Sequence, residues 1–225
     1  EASELVNRVQ TGGRLPLLTS CCPGWVRFAE NFYPDLLPHL STCKSPQQMF
    51  GALAKTYFAG KSGLDPANIV SVSIMPCTAK KYEAQRPEMC SSGYRDVDYV
   101  ITTRELARMV RQAGIDFATL PEQTADELMG RYSGAATIFG VTGGVMEAAL
   151  RTAYRFVTGR ELEHVDVNRV RGLNGVRRAS VSLTPNNGNE AGLTVNVAVA
   201  HGLGNARTLL DEIRSGESPY HLIEI

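Results

Sequence analysis

The chain has 225 residues, with 23 Lys plus Arg against 23 Asp plus Glu and a formal net charge of +0. That length buries a sizeable core, as one large domain or two small lobes, while the balanced charge offers no nucleic-acid surface and no polybasic membrane patch. No apolar run approaches the roughly 20 residues of a membrane span, and five cysteines, an odd number without a regular framework, argue against a secreted disulfide scaffold.

In chain order, Glu4 to Gln10 reads as the end of an amphipathic helix closed by Gly12-Gly13. Leu15 to Leu18 reads as a short buried strand running into Thr19-Ser20-Cys21-Cys22-Pro23-Gly24-Trp25. Trp25 to Phe32 is predicted helical, stopped by Pro34. Pro46 to Ala59 is a longer predicted helix, with Met49, Leu53 and Tyr57 at helical spacing. Ile69 to Met75 is a predicted strand that ends in a second cysteine loop, Met75-Pro76-Cys77. Tyr99 to Thr102 is a further strand, and Thr103 suits the cap of a helix reaching Gln112. A glycine-rich turn within 134–144 leads to a helix from Val145 to Arg155. Residues 165–167, 176–183, 193–199 and 220–225 read as strands, with a turn at 185–188 making an antiparallel hairpin, and Asn205 to Arg214 as a helix. Strands alternating with helices predict an α/β fold. The expectation is one domain of two lobes, approximately 1–133 and 134–225, with mainly parallel four-stranded-type sheets flanked by helices and a cofactor cleft between them.

The chemistry concentrates in the two cysteine loops. Pro23 biases Cys22 towards an extended conformation, and successive side chains of an extended segment face opposite sides. Cys21 and Cys22 therefore meet different environments, and one can bind a metal while the other stays a thiol beside it. Pro23 and Gly24 enter a helix, whose N-terminus favours the thiolate. Cys22 and Cys77 each follow a strand and adjoin a proline. Buried loop cysteines would look the same, and the spacing is not a paired zinc motif. Soft thiolates choose iron–sulfur clusters, zinc or copper, and two are too few for a cubane. Lys80 and Glu83 after Cys77 read either as a solvated helix face or as a lysine aimed at an anionic ligand. Met75 reads as core or as a soft contact to a cofactor. Cys43 and Cys90, on polar stretches, read as non-ligands, and His39, His164, His201 and His221 share no ligand pattern.

TSCCPGW, SPQQMFG (Ser45 to Gly51), MPCTAKKYE, RDVDYVITTRELARM, YSGAATIFGVTGGVMEAALR and VRGLNGVR, in that order, resemble the catalytic domain of [FeFe]-hydrogenases along essentially the whole chain. The first and third motifs are the most specific. Cys43 departs from the pattern, since a small apolar residue is common there. The resembled family has a third cysteine signature after a strand like YHLIEI, so the chain, which opens at Glu1 inside helical sequence, is expected to be a fragment. With no secretory signal visible, the cytoplasm is the expected compartment.

The resemblance implies an H-cluster: a [4Fe–4S] cubane joined through a cysteine to a two-iron subsite carrying CO, cyanide and a dithiolate amine. By motif position Cys22 and Cys77 match cubane ligands. Cys21 matches the thiol that passes protons to the amine, with Ser41, Glu4 and Glu1 as the onward relay. Lys80 matches a lysine that hydrogen-bonds cyanide, and Met75, Gln47 and Phe139 match other residues around the subsite. The implied activity is reversible reduction of protons to H₂, with electrons from a ferredoxin or similar carrier and the cofactor loaded by maturation proteins. The rivals are an iron–sulfur assembly relative, which lacks the relay thiol, an H₂-sensing homologue, and a zinc-stabilised interaction module.

Overall fold

The computed structural model describes residues 1–126, 128–129, 134–162, 175–183 and 193–225. The strand expected at 165–167, the turn at 185–188 and His164 lie outside them. The chain divides into two compact units, Glu1–Cys43 with Tyr132–Ile225, and Lys44–Arg131. The sequence predicts one approximate division, at 133/134. The N-terminal 43 residues join the C-terminal ones because strand β1 (Leu17–Leu18) pairs with β6 (Leu222–Glu224).

The first unit is a three-layer sandwich. Its sheet runs β1-β6-β5-β4, with β4 Val176–Leu183 and β5 Leu193–Ala200. β1, β6 and β5 are parallel, and β4 is antiparallel to β5, as the hairpin pattern predicts. Period-two alternation sorts the side chains between two cores. Leu17, Leu222, Val197 and Val199 face Leu5 of α1 (Ala2–Thr11) and Met146, Ala149 and Leu150 of α8 (Gly144–Thr158). Leu18, Ile223, Ala198 and Ala200 face Trp25 and Ala29 of α2 (Pro23–Phe32) and Leu209 and Leu210 of α9 (Leu203–Arg214). The first strand is shorter than expected because Pro16 has no N–H to offer a ladder. A short helix, α7 (Gly134–Ile138), precedes α8.

The second unit carries β2 (Val72–Met75) parallel to β3 (Tyr99–Thr102), with α5 (Ala79–Gln85) and α6 (Thr103–Gln112). Among the described residues this sheet has two strands, not four. The helix expected from Pro46 to Ala59 is three stretches: α3 (Pro46–Leu53), a π-helical turn (Ala54–Phe58) and α4 (Ala59–Ser62). Met49, Leu53 and Tyr57 lie on its exposed side, and Gln47, Gln48, Gly51 and Lys55 are buried instead. Gly51 sets that phase: a Cβ there would lie 2.2 Å from the Asp96 carbonyl oxygen, so only glycine lets the helix approach so closely. Lys55 Nζ then reaches both oxygens of Asp98, at 2.8 and 2.7 Å, and Asp98 accepts the Ser71 N–H at 2.7 Å. The α6 cap is Thr102, one residue earlier than expected, in a complete capping box with Glu105.

Candidate functional site

Parallel strands put their carboxyl ends on one edge, where α/β proteins place chemistry. In the first unit that edge gathers the loop after β1, the end of β6 and the turn His201-Gly202 after β5. Thr19 is its anchor. The Thr19 N–H donates to Ile223 O at 3.0 Å, Thr19 O accepts the Trp25 indole N–H at 2.9 Å, and Thr19 Oγ1 accepts the Ile225 N–H at 3.2 Å. The double-cysteine loop is thus tied to the end of β6 and to α2. Cys22 adopts φ −94° and ψ 108°, extended as the following proline demands, and Pro23 opens α2. Cys22 packs against the α2–α9 core, Cys21 is half-buried, and none of the five cysteines is in a disulfide.

Beside this loop lies a chain of carboxylates and hydroxyls. Segment Leu40–Ser41 runs along β1, with the Ser41 N–H on Leu18 O at 2.7 Å. Ser41 Oγ donates to Glu4 Oε2 at 2.7 Å and accepts the Cys43 N–H at 3.1 Å. Glu4 also accepts the Thr42 N–H at 3.2 Å and Arg8 Nη2 at 2.7 Å. Arg8 spans from Glu4 to the carbonyls of His39 and Leu40, which fixes the helix against the segment carrying Ser41. Glu1 Oε1 accepts the Ser20 N–H at 3.4 Å, and Ser20 Oγ donates to Cys43 O at 2.7 Å. Cys43, read as a non-ligand, has its Sγ 4.0 Å from Glu4 Oε2. Arg8 joins this chain without being among the residues expected from sequence. Its signal is a Glu–Arg pair at i, i+4 on one helix face.

The two carboxyls of this chain are driven apart. Burial pushes Glu1 above the ordinary carboxylate range. Burial acts on Glu4 in the same sense, but the hydrogen bonds from Ser41, Thr42 and Arg8 together outweigh it and hold Glu4 below that range. Unfolded Glu titrates near about 4.3. The Glu4 clamp therefore adds stability above that pH and loses it as pH falls through the lower folded value. Glu1 works oppositely: its contribution is present in acid and is lost as pH rises through its folded value. Arg8→Ala should weaken the Glu4 clamp, so urea midpoints followed from neutral pH down to about pH 3 should fall less in the variant than in the parent. A parallel fall in both would remove Arg8 from the clamp.

In the second unit the Met75-Pro76-Cys77 loop follows β2, with Cys77 exposed and Met75 half-buried. Its neighbourhood is organised by the buried carboxylate of Glu83. Glu83 accepts Ser45 Oγ at 2.8 Å, Gln47 Nε2 at 3.1 Å and Lys80 Nζ at 3.2 Å. Gln47 Oε1 accepts the Ser73 hydroxyl at 2.8 Å. Lys80 and Gln47, both expected at the site, are thus held in one network with Glu83 at its centre. Phe139, expected at the site as well, lies in the first unit on the turn between α7 and α8 and is partly exposed.

The donor chemistry fits an iron–sulfur cluster in part. Cys22 and Cys77 offer two soft thiols, each at the end of a parallel strand, and a cubane takes four. Among the described residues no three His, Cys, Asp or Glu side chains group as a metal site. Cys22 and Cys77 belong to different units.

The chain matches, over residues 1–225, the family described as the C-terminal domain of the iron only hydrogenase large subunit. It is 55% identical, along its whole length, to the periplasmic [Fe] hydrogenase large subunit of Nitratidesulfovibrio vulgaris, of which it spans 52%. An apo [FeFe]-hydrogenase from Chlamydomonas reinhardtii superposes with a TM-score of 0.82 at 42% identity, covering 100% of this chain and 62% of that one. A cytosolic Fe-S cluster assembly factor from Xenopus tropicalis is 36% identical over 94% of this chain and 44% of its own length. The chain thus spans about half the length of the curated relatives it resembles. With one of them periplasmic, the cytoplasmic expectation is not carried forward. Among the described residues no helix is long and apolar enough to cross a membrane.

Proposed function

This chain belongs to the family of iron-only hydrogenase C-terminal domains, and we propose that in its parent enzyme it helps build an H-cluster and moves protons to and from it. Cys22 and Cys77 are the cubane ligands this chain supplies. The end of β6 is tied to the head of the loop that carries Cys22, the Ile225 N–H being held on the Thr19 hydroxyl. When bound, the cluster supplies electron transfer through its cubane and H₂ formation or cleavage at its two-iron subsite. By motif position Lys80 would hydrogen-bond a cyanide of that subsite, and Gln47, Met75 and Phe139 would be further contacts to it.

The residues of this chain then handle protons. The Cys21 thiol is the last donor, a thiol being a group acidic enough to give up a proton near neutrality. Glu4 and Ser41 exchange protons across 2.7 Å, and Glu1 stands at the other end of the loop on Ser20. Arg8 positions Glu4. The observation that carries this reading is the Ser41–Glu4 bond, whose hydrogen-bonded chain runs through the Cys43 backbone to Ser20, the residue before Cys21. A module that only holds a cluster needs Cys22 and has no use for a carboxylate–hydroxyl chain next to Cys21. Electrons would come from a ferredoxin-like carrier, and the two-iron subsite from maturation proteins.

The test is paired. The parent protein after cofactor maturation should show infrared bands of CO and cyanide and should evolve and take up H₂. The 225 residues alone, offering two thiols where a cubane needs four, should do neither. Zinc in place of iron and sulfide in the parent would sink the proposal.

A further inference from the structure

β6 alternates cleanly between the two cores of the first unit, Leu222 to one side and Ile223 to the other. The next position on the Leu222 side calls for an apolar residue and holds Glu224, which is 7% exposed. A carboxylate on a core-facing position needs a partner. It has two. Oε1 accepts the Gly143 N–H at 2.8 Å, and Oε2 accepts the Met146 N–H at 2.6 Å.

Those donors are the N-cap and N3 amides of α8. In a capping box they are satisfied by two side chains of the helix itself. Gly143 has no side chain, so a single carboxylate from a neighbouring strand takes both places. Anionic charge there also meets the positive end of a 15-residue helix. The turn before α8 has no slack. Gly143 has φ +84°, and a Cβ on Gly144 would lie 1.8 Å from Ile138 O and 3.3 Å from Phe139 Cα. The backbone of Phe139 therefore rests on the first residue of the helix that Glu224 fixes. One residue beyond Glu224, Ile225 is bonded to Thr19 at the head of the double-cysteine loop.

We propose that Glu224 is a positioning residue: from the end of β6 it sets the start of α8, and with it the place of Phe139 relative to the Cys21–Cys22 loop. The part of this that concerns the cofactor rests on the hydrogenase reading above. The experiment uses the matured parent enzyme with Glu224→Ala, Glu224→Gln and, as a control for general loosening of the same core, Val195→Ala near the amino end of β5. Three readouts are amide exchange at Gly143 and Met146, the CO and cyanide infrared bands, and iron content.

Glu224→Ala should exchange these amides about tenfold faster, as loss of a helix cap predicts. It should shift the infrared bands and keep parental iron. Glu224→Gln, which keeps one acceptor oxygen, should fall between the two. Val195→Ala should leave the bands in place. Parental bands and exchange in Glu224→Ala would overturn the proposal, as would an equal band shift in Val195→Ala. Loss of iron from both Glu224 variants would make Glu224 a folding residue and overturn it too. Absence of CO and cyanide bands from the parent itself would sink the hydrogenase reading and this proposal with it, whereas unchanged bands in the variants sink the proposal alone.

Discussion

Cys22→Ala or Cys77→Ala in the parent enzyme should cut cubane iron by more than about tenfold, because cluster affinity falls steeply when a thiolate is removed. Cys43→Ala and Cys90→Ala should keep it. The structure gives each of the latter pair another explanation. Cys90 is exposed, with Sγ 2.9 Å from the Pro87 carbonyl oxygen that accepts its proton. Cys43 uses its backbone, donating its N–H to Ser41 and accepting Ser20 Oγ, so alanine preserves both bonds. Cys22 packs against the α2–α9 core. Its backbone is extended by Pro23, its thiol sits at the start of a helix, and α2 follows at once. Iron and acid-labile sulfide measured on all four variants decide the matter. Equal iron in the four would end the assignment of Cys22 and Cys77.

How much of this was legible without coordinates depends on how local each signal is. The double-cysteine loop was readable because a proline constrains the residue before it, and Cys22 has the extended backbone that this implies. The pairing of Leu17–Leu18 with Leu222–Ile223 was not, since no local pattern says which distant strand a two-residue strand will join. That pairing is what puts the N-terminal residues in the unit of β6. SPQQMFG and RDVDYV carry a resemblance that reads as a functional signature, yet part of their content is packing. Gly51 makes room for Asp96, and Asp98 neutralises the buried Lys55. Met49, Leu53 and Tyr57 have helical spacing yet lie exposed, because the close approach of Gly51 to Asp96 sets the phase of that helix and buries Gln47 and Lys55 with their polar partners. Glu224 is passed over in the sequence reading, where 220–225 is only a strand: its partner, the start of α8, lies 78 and 81 residues away.

Cys21→Ser should retain the cluster and lose at least about 100-fold in H₂ turnover, the lower range for removal of a positioned proton donor. Geometry comes first. Cys22 packs into the α2–α9 core, and the extended backbone turns its neighbour towards a different environment. A serine there is isosteric, but its hydroxyl is far less acidic than a thiol and releases its proton poorly at neutral pH. Cys21→Asp should recover part of the rate, since a carboxyl can carry a proton. Further out, Glu4→Gln should also slow turnover with iron intact. The amide keeps a carbonyl for Ser41 to donate to, so the hydrogen bond at that site survives while the exchangeable proton is lost. Arg8 would then face a neutral partner where it now meets a carboxylate. Iron content and H₂ evolution are measured together on these variants. Loss of iron from Cys21→Ser would make Cys21 a ligand, and parental turnover would take it out of the relay; a slow Cys21→Ser beside a parental Glu4→Gln would keep the thiol and move the proton route away from Ser41.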